Sequence, residues 1–274
     1  MSTLSYAVHD SATMLRRNLK HAIRYPAVGF GSAMTPILML LLFVYAFGDS
    51  IGAGIGEGVG GGTGTGSGSG SGRDAYVNYL TPGIIIMGVA AGSMSTSVAV
   101  CSDMTKGIIN RFRTMNITRS SFMTGHVIGS VVQTMLCMVL VVGVAFAVGF
   151  RSGASPLEWL AAFGLLAAVA FAVTWLSAAL GLISKTVESA SNKPLLVQFL
   201  PFLGSAFVPA ESMSPGLRWF AEYQPFTPMT ETLRGLLTGT AIGHSGWVAL
   251  AWCAGITLVG YLWSRSLFNS NSKR

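Results

Sequence analysis

Long apolar runs constrain the fold of this chain more than any other feature. A helix of about 20 apolar residues spans the hydrocarbon core of a bilayer. Five runs reach that length, at residues 27–47, 80–101, 127–149, 157–183 and 247–268. A sixth, at 194–208, is shorter and contains Pro201, so it either spans with a kink, continues further or lies partly re-entrant. The sequence therefore predicts an all-α integral membrane protein with six transmembrane helices.

Composition agrees with a membrane protein. Only 10% of the 274 residues are charged and the mean hydropathy is +0.59, whereas soluble domains carry about a quarter charged residues. We interpret residues 1–274 as a single transmembrane domain. The net charge of +7 is then explained by the bilayer and not by nucleic acid, since basic residues gather in cytoplasmic loops. Cys101, Cys137 and Cys253 are predicted to be buried free thiols.

The basic residues also predict an orientation. Thirteen Lys and Arg residues fall on one side of the predicted spans and four on the other. Because cytoplasmic loops are enriched in Lys and Arg, both termini are predicted to be cytoplasmic in a multi-pass protein of the cell (plasma) membrane. The minority side, which is predicted to be external, carries Arg73, Arg151, Arg218 and Arg234.

A glycine-rich run between the first two spans raises the question of nucleotide binding. A phosphate-binding P-loop requires Lys and Ser or Thr after its glycines and then a helix. The run contains no lysine and ends in Arg73-Asp74, and the predicted topology places it outside the cell. Residues 48–79 are therefore predicted to be a flexible external loop.

No catalytic or metal-binding constellation is evident, so the chain is predicted not to be an enzyme and to hold no cofactor. Charged residues are nearly absent from the spans, although proton- and ion-coupled transporters usually place them there. Energy for any transport then has to come from a partner. Uncharged polar residues within the spans either bond across helices or line a substrate path: Gln133, Thr174, Ser177 and Gln198.

Two cytoplasmic segments have suggestive patterns. Residues 10–25 place apolar side chains on one helical face, with Arg16 and Arg17 among the rest, which predicts an amphipathic interfacial helix. Residues 102–119 are polar, and Arg111 and Arg113 flank Phe112. This second segment is either a positive-inside loop or a docking helix, since Arg and aromatic side chains are good interface anchors.

Two short helices are predicted on the external side, within residues 206–239. Ser214-Pro215 and Thr227-Pro228 each place a capping residue before a proline. Trp219 is available to lie in the membrane interface. Arg234 follows Glu231 by three residues, which suggests a modest surface ion pair.

These segments carry a family resemblance. Residues 103–119 and 206–239, with a weaker match at 79–83, resemble type-2 ABC exporter permeases, most closely the daunorubicin-resistance permease group. Asn116 stands where members often have proline. The match in the cytoplasmic segment rests on Asp103, Lys106, Gly107, Arg111, Phe112, Arg113, Ile117 and Arg119. The match in the external block rests on Pro209, Met213, Pro215, Leu217, Pro225, Thr227, Leu233, Arg234, Gly235 and Gly239.

The resemblance implies a permease subunit that works with a second permease, identical or paralogous, and two ATP-binding cassette subunits. ATP and Mg would bind the partner subunits, and the cargo would be an amphiphilic drug, antibiotic or lipid. Residues 102–119 would be a coupling helix and 206–239 re-entrant helices. The implied ATPase-coupling interface comprises Asp103, Lys106, Gly107, Arg111, Phe112, Arg113, Arg119, Arg16 and Arg17. The implied external gate comprises Pro209, Pro215, Trp219, Pro225, Arg234 and Gly235. Alternatives are a polysaccharide or glycolipid ABC exporter permease, or a stand-alone secondary transporter.

Overall fold

A computed structural model describes residues 26–48, 72–106, 119–208 and 212–271, and in these ranges the regular structure is helical. The amphipathic segment 10–25 and most of the glycine-rich and coupling segments lie outside the described residues. The helices are α1 (Pro26–Leu42), α2 (Gly72–Thr105), α3 (Arg119–Val148), α4 (Pro156–Leu182), α5 (Val187–Asn192), α6 (Leu195–Phe199), α7 (Pro215–Tyr223), α8 (Phe226–Thr238) and α9 (Ser245–Asn271).

Four of these helices are long and apolar enough to cross a membrane: Arg73–Thr105, Met123–Val148, Pro156–Leu182 and Ser245–Leu267. The all-α membrane class predicted from sequence is therefore confirmed. Helix α1 continues into a π-helical end, Phe43–Phe47, and together they are about 33 Å long. Its apolar described part, Ala33–Phe47, is shorter than the other four.

Helices α2 and α4 form the centre of the bundle. Most of their side chains are buried, and α4 begins with a complete capping box in which Ser155 and Glu158 satisfy each other's backbone amides. In contrast, α3 and α9 expose large apolar side chains such as Leu136, Leu250 and Leu258. That distribution fits two helices whose outer faces contact lipid.

Glycines set the closest helix approaches in the bundle. A Cβ atom on Gly92 of α2 would lie 2.6 Å from the Thr134 hydroxyl oxygen of α3, and one on Gly181 of α4 would lie 2.6 Å from the Ser97 carbonyl oxygen of α2. A side chain at Gly181 would separate the two backbones, and one at Gly92 would displace the Thr134 side chain. The seam between α2 and α3 thus runs along the small residues of α2.

The beginning of α2 differs from the prediction. The external loop was expected to extend to residue 79, but α2 begins at Gly72, and Asp74 lies in its first turn. Tyr76 and Val77 are fully buried. Hydropathy alone starts this helix too late, because its first turn contains polar residues. Burial of the side chains that follow, and the favourable position of Asp74 at a helix N-terminus, stabilise the longer helix.

The two ends of the predicted coupling segment, residues 102–119, belong to the flanking helices. Its first residues, from Ser102 to Thr105, continue α2, and Arg119 begins α3. Residues 107–118 lie outside the described residues. Both flanking helices therefore extend past their apolar runs. Main-chain hydrogen bonds can continue a helix into polar residues, where hydropathy is low.

The segment between α4 and α7, which contains the apolar run at 194–208 and is the fifth in chain order, is divided into short pieces. We call it the broken fifth segment. Helices α5 and α6 are followed by a 3-10 helix, Leu200–Leu203, and by turns through residue 207. It is not among the four candidate spans. Its contacts nevertheless follow α2 closely: Ser97 donates to the Ala190 carbonyl (2.8 Å), and Tyr79 donates to the Ser205 carbonyl (3.1 Å). The two contact points on α2 are about 27 Å apart along the helix axis.

Candidate functional site

The bundle has two polar ends, and the first is built around Asp103. His126 Nε2 of α3 lies 3.1 Å from Asp103 Oδ2 of α2, and both side chains are largely buried. This contact joins the last turn of α2 to the first turns of α3, which are the helices on either side of the coupling segment. We call this region the Asp103 end.

The connection between α4 and α5 packs onto the same end. Cys101 Sγ donates to the carbonyls of Ser184 (3.5 Å) and Thr186 (3.4 Å), and Lys193 donates to the Ile183 carbonyl (3.1 Å). The pKa of the exposed Glu188 carboxyl is lowered by its own backbone amide and by the Thr186 hydroxyl at the start of α5. Short polar contacts therefore hold three helices together here.

The predicted coupling residues lie at or next to the Asp103 end where they are described. Lys106 is exposed in the turn that follows α2, and Arg119 is the first residue of α3. The remaining predicted coupling residues lie outside the described residues: Arg16, Arg17, Gly107, Arg111, Phe112 and Arg113.

The second polar end is built around Arg234. Its guanidinium carbon lies 3.9 Å from the centre of the Tyr79 ring. Its Nη2 donates to the Ser205 carbonyl (2.8 Å) and its Nε donates to the Tyr79 carbonyl (3.3 Å). One side chain of α8 therefore ties the start of α2 to the turn after the 3-10 helix. We call this region the Arg234 end.

Arg234 does not form the ion pair with Glu231 that its spacing suggested. The Glu231 carboxylate accepts from Ser245 instead (3.1 Å), and Arg234 is absent from the ion pairs of the described chain. Burial lowers the pKa of Arg234, while Tyr79 and Glu231 oppose that shift. The guanidinium nevertheless stays charged at neutral pH because an arginine is protonated in essentially any protein environment.

Thr227 has a different role from the predicted one. Helix α8 begins at Phe226, so Thr227 lies inside its first turn and is not the N-cap. Its hydroxyl oxygen accepts from the Gln224 side chain (3.3 Å) and from the Ser205 amide (3.4 Å). Nearby, the Ser205 hydroxyl and Gln224 Oε1 are buried without a hydrogen-bond partner.

The other predicted gate residues that are described lie on or beside α7 and α8. Pro215 begins α7 after Ser214, which makes no side-chain cap. Trp219 is exposed on α7 and packs against Tyr223, with ring centres 5.5 Å apart. Pro225 precedes α8, and Gly235 is buried against Thr240 and Ile242. Pro209 lies outside the described residues.

The four predicted path residues fall on three different elements. Ser177 of α4 is fully buried, and its hydroxyl oxygen lies 3.0 Å from that of Ser93 of α2. This contact matches the helix-bonding alternative. Thr174 is also buried, and its hydroxyl has no partner. Gln133 on α3 and Gln198 on α6 are partly exposed.

Sequence reasoning missed the partners on which both ends depend. None of His126, Tyr79 and Ser205 was predicted as a site residue. His126 could have been found from its position, since it lies near the start of the predicted third span, and Asp103 lies just after the end of the second. Ser205 acts mainly through its backbone carbonyl, and no sequence pattern marks a carbonyl.

The sequence of this chain is similar to that of known membrane transport proteins. A profile of the ABC-2 type transporter family matches residues 10–238. A relative, the daunorubicin resistance ABC transporter permease protein DrrB1 of Streptomyces coeruleorubidus, is 25% identical over 236 residues, which cover 86% of this chain and 77% of the relative. The chain therefore belongs to the ABC-2 type transporter family.

Proposed function

We propose that this chain is the membrane-spanning permease subunit of an ATP-driven exporter of amphiphilic drugs, antibiotics or lipids. The observation that carries the proposal is the family match across residues 10–238. The drug-resistance relative favours this cargo class over a polysaccharide. Family membership implies an ATP-binding partner subunit, and we propose that ATP and Mg bind there, in a complex of two permeases and two ATP-binding subunits.

Six membrane crossings are supported by the way the segments alternate between the two ends. Arg73 lies 4.6 Å from the Tyr45 ring centre, so α1 ends where α2 begins. The broken segment runs from Ala190 beside Ser97 to Ser205 beside Tyr79. That distance of about 27 Å along α2 is close to the 30 Å hydrocarbon core. In this arrangement the start of α1 and the end of α9 lie at the Asp103 end, which we propose is cytoplasmic.

The two polar ends suggest how movement of an ATP-binding subunit is transmitted through the permease. The coupling segment joins α2 to α3 at the Asp103 end, and the Asp103–His126 contact braces those two helices against each other. A push from an ATP-binding subunit would then move α2 and α3 together. Because α2 also carries Tyr79, the motion reaches the Arg234 end along one continuous helix. This is rigid-body coupling between two packed states.

The test is reconstitution of the chain with and without its ATP-binding partner in liposomes. We expect ATP-dependent export from the complex and neither ATP hydrolysis nor export from the chain alone. Export by the lone chain under an ion gradient would instead establish the secondary transporter alternative. ATP hydrolysis by the lone chain at the rate of the complex would contradict the subunit assignment.

We expect Arg111→Glu and Arg113→Glu, alone and together, to weaken binding of the ATP-binding subunit by at least about tenfold. Arginine is enriched among the few interface residues whose truncation costs about 2 kcal/mol or more. Co-purification and ATP-driven flux measure the effect. Arg151→Glu is the matched control, because Arg151 is exposed at the Arg234 end. Unchanged co-purification and flux in the double variant would contradict a docking role for residues 102–119.

We expect export to stay within about twofold when residues 51–70 are replaced by four glycine or serine residues. The structure already brings the two ends of this segment together, because a Cβ on Gly48 would lie 3.1 Å from Arg73 Cγ. The long segment is therefore not needed to close the connection, and loop length alone changes closure free energy only slowly. Flux and thermal unfolding of the complex are the measurements. Complete loss of export would show that the segment does more than connect.

A further inference from the structure

Helix α7 is attached to the bundle by very little buried surface. Of its nine residues, Pro215–Tyr223, Ala221 is buried and the others are exposed. Trp219 is 66% exposed and Tyr223 is 67% exposed. Gln224, which follows the helix directly, is by contrast only 4% exposed. The attachment of α7 therefore depends mainly on its last turn and on Gln224.

The Gln224 side chain joins a group of polar atoms at the Arg234 end. Its Nε2 donates to the Thr227 hydroxyl oxygen (3.3 Å), and the Ser205 amide donates to the same oxygen (3.4 Å). The group lies against Gly204, where a Cβ atom would be 2.7 Å from that oxygen and closer still to Gln224 Nε2. The end of α7, the start of α8 and the turn after the 3-10 helix thus meet at one hydroxyl.

Two polar atoms of this group have no hydrogen bond. The Ser205 hydroxyl and Gln224 Oε1 are both buried and without a partner. Leaving a buried polar atom unbonded costs free energy, and such atoms are rare in folded proteins. Where protein partners are missing, an ordered internal water usually bonds two to four such atoms.

The surroundings of these two atoms favour water over an ion or a larger molecule. The Arg234 guanidinium lies beside Ser205, since its Nη2 donates to the Ser205 carbonyl (2.8 Å), so a cation would be repelled. Gln224 Oε1 is an acceptor and would repel an anion, whereas water donates to an acceptor and either donates to or accepts from a hydroxyl. Ser205 is only 3% exposed, which leaves no access for a cargo molecule.

We propose that a buried water molecule bridges the Ser205 hydroxyl and Gln224 Oε1 and holds α7 against the Arg234 end. The water donates to Gln224 Oε1 and shares a second hydrogen bond with the Ser205 hydroxyl. Because the Ser205 carbonyl also accepts from Arg234, the attachment of α7 is joined to the contact that ties α2 to α8. This inference goes beyond the exporter function and does not depend on the cargo.

The direct test is a cryo-EM map of the full chain in lipid nanodiscs, with a bound antibody fragment and at a resolution that shows ordered water. We expect density within hydrogen-bond distance of both Ser205 Oγ and Gln224 Oε1. A direct hydrogen bond between these two atoms, or no density beside either of them, would overturn the inference.

A second test uses Ser205→Ala, which removes the hydroxyl and keeps the backbone amide and carbonyl that contact Thr227 and Arg234. We expect amide hydrogen exchange in α7 to become about fivefold faster, as for the loss of one net hydrogen bond, while exchange in α9 stays at the wild-type rate. Ser264→Ala is the matched control, because the Ser264 hydroxyl is also buried without a partner but lies on α9. It should leave exchange in α7 unchanged.

Unchanged or slower exchange of α7 in Ser205→Ala would contradict the bridge, and so would equal acceleration of α7 in Ser264→Ala. Gln224→Met tests the other partner of the water. If the two side chains share one water, the Ser205→Ala, Gln224→Met double variant should exchange no faster in α7 than Gln224→Met alone. A further acceleration in the double variant would show that they do not share it.

Discussion

Replacing Arg234 with methionine is expected to reduce ATP-driven export by at least about tenfold while the variant still inserts and binds its ATP-binding partner. The substitution removes two charge-assisted hydrogen bonds, to the Ser205 and Tyr79 carbonyls, and the stacking on Tyr79. Such bonds contribute about 1.5–3 kcal/mol each, and a cation–π contact about 0.5–2 kcal/mol. Because about 1.4 kcal/mol is a tenfold change in an equilibrium, closure of the Arg234 end should shift strongly.

Lysine is not expected to rescue this position. Its ammonium is a compact point charge and cannot reproduce the planar fork that stacks on Tyr79 while it donates to two carbonyls. Flux and ATP hydrolysis should be measured together, since hydrolysis that persists without export would indicate a gating defect instead of misfolding.

Arg218→Met is the matched control for Arg234→Met. Arg218 donates to Glu222 (2.7 Å) on α7, but both side chains are about half exposed, and surface pairs of this kind contribute about 0.2–1 kcal/mol. Export should therefore stay near wild type. If Arg218→Met and Arg234→Met reduce export equally, or if Arg234→Met has no effect, the contacts of Arg234 are not required for export.

Substitution of Gly181 is expected to have the largest effect on assembly of the bundle. A Cβ there would lie 2.6 Å from the Ser97 carbonyl oxygen and 3.0 Å from its Cα. The neighbour is backbone in the middle of α2, so it cannot move aside as a side chain could. We expect Gly181→Ala to cost about 1–3 kcal/mol by overpacking. Gly181→Leu should prevent accumulation of folded protein, because total stabilities are only about 5–15 kcal/mol.

Gly164 provides the control on the same helix. A Cβ at Gly164 would meet no atom within 4 Å, so Gly164→Ala and Gly164→Leu should accumulate normally. A second pair on α9 repeats the comparison, since a Cβ on Gly260 would lie 2.8 Å from the Leu176 amide nitrogen and Gly255 has open space. The measurements are yield of monodisperse protein and thermal unfolding in detergent. Equal yields for the Gly181 and Gly164 variants would contradict the close approach of α2 and α4.

Local sequence patterns predicted the helices whose ends carry strong signals. Helix α4 is the clearest case, since Ser155, Pro156 and Glu158 form a capping box just before an apolar run. Helix α2 was predicted too short at its start, because polar residues near Asp74 lower the hydropathy there, although Tyr76 is buried. The predicted N-cap role of Thr227 was wrong, because α8 begins at Phe226 and the Thr227 hydroxyl accepts from Gln224 and from the Ser205 amide.

The candidate site was predictable only in part. The sequence pointed to Asp103 and Arg234 through their charge and their place in the resembling segments. It did not identify what these residues contact, since Tyr79 is 155 residues from Arg234 and Ser205 is 29. Contacts over such separations depend on how the helices pack, and both hydrogen-bond acceptors of the Arg234 side chain are backbone carbonyls, which every residue has.

The sequence by itself determined that this chain is a helical membrane protein, and its charge distribution predicts which ends of the helices share a side. Both conclusions follow from transfer free energies of single residues, which need no knowledge of neighbours. Only the tertiary structure decided that a broken fifth segment follows α2 from Ser97 to Tyr79. It also decided that Arg234 joins the start of α2 to the turn after the 3-10 helix. It also brought Phe43 of the π-helical end into contact with Phe207 of the broken fifth segment, with ring centres 5.0 Å apart. Those features depend on close backbone approach at glycines and on burial of polar groups, which exist only after the helices have packed.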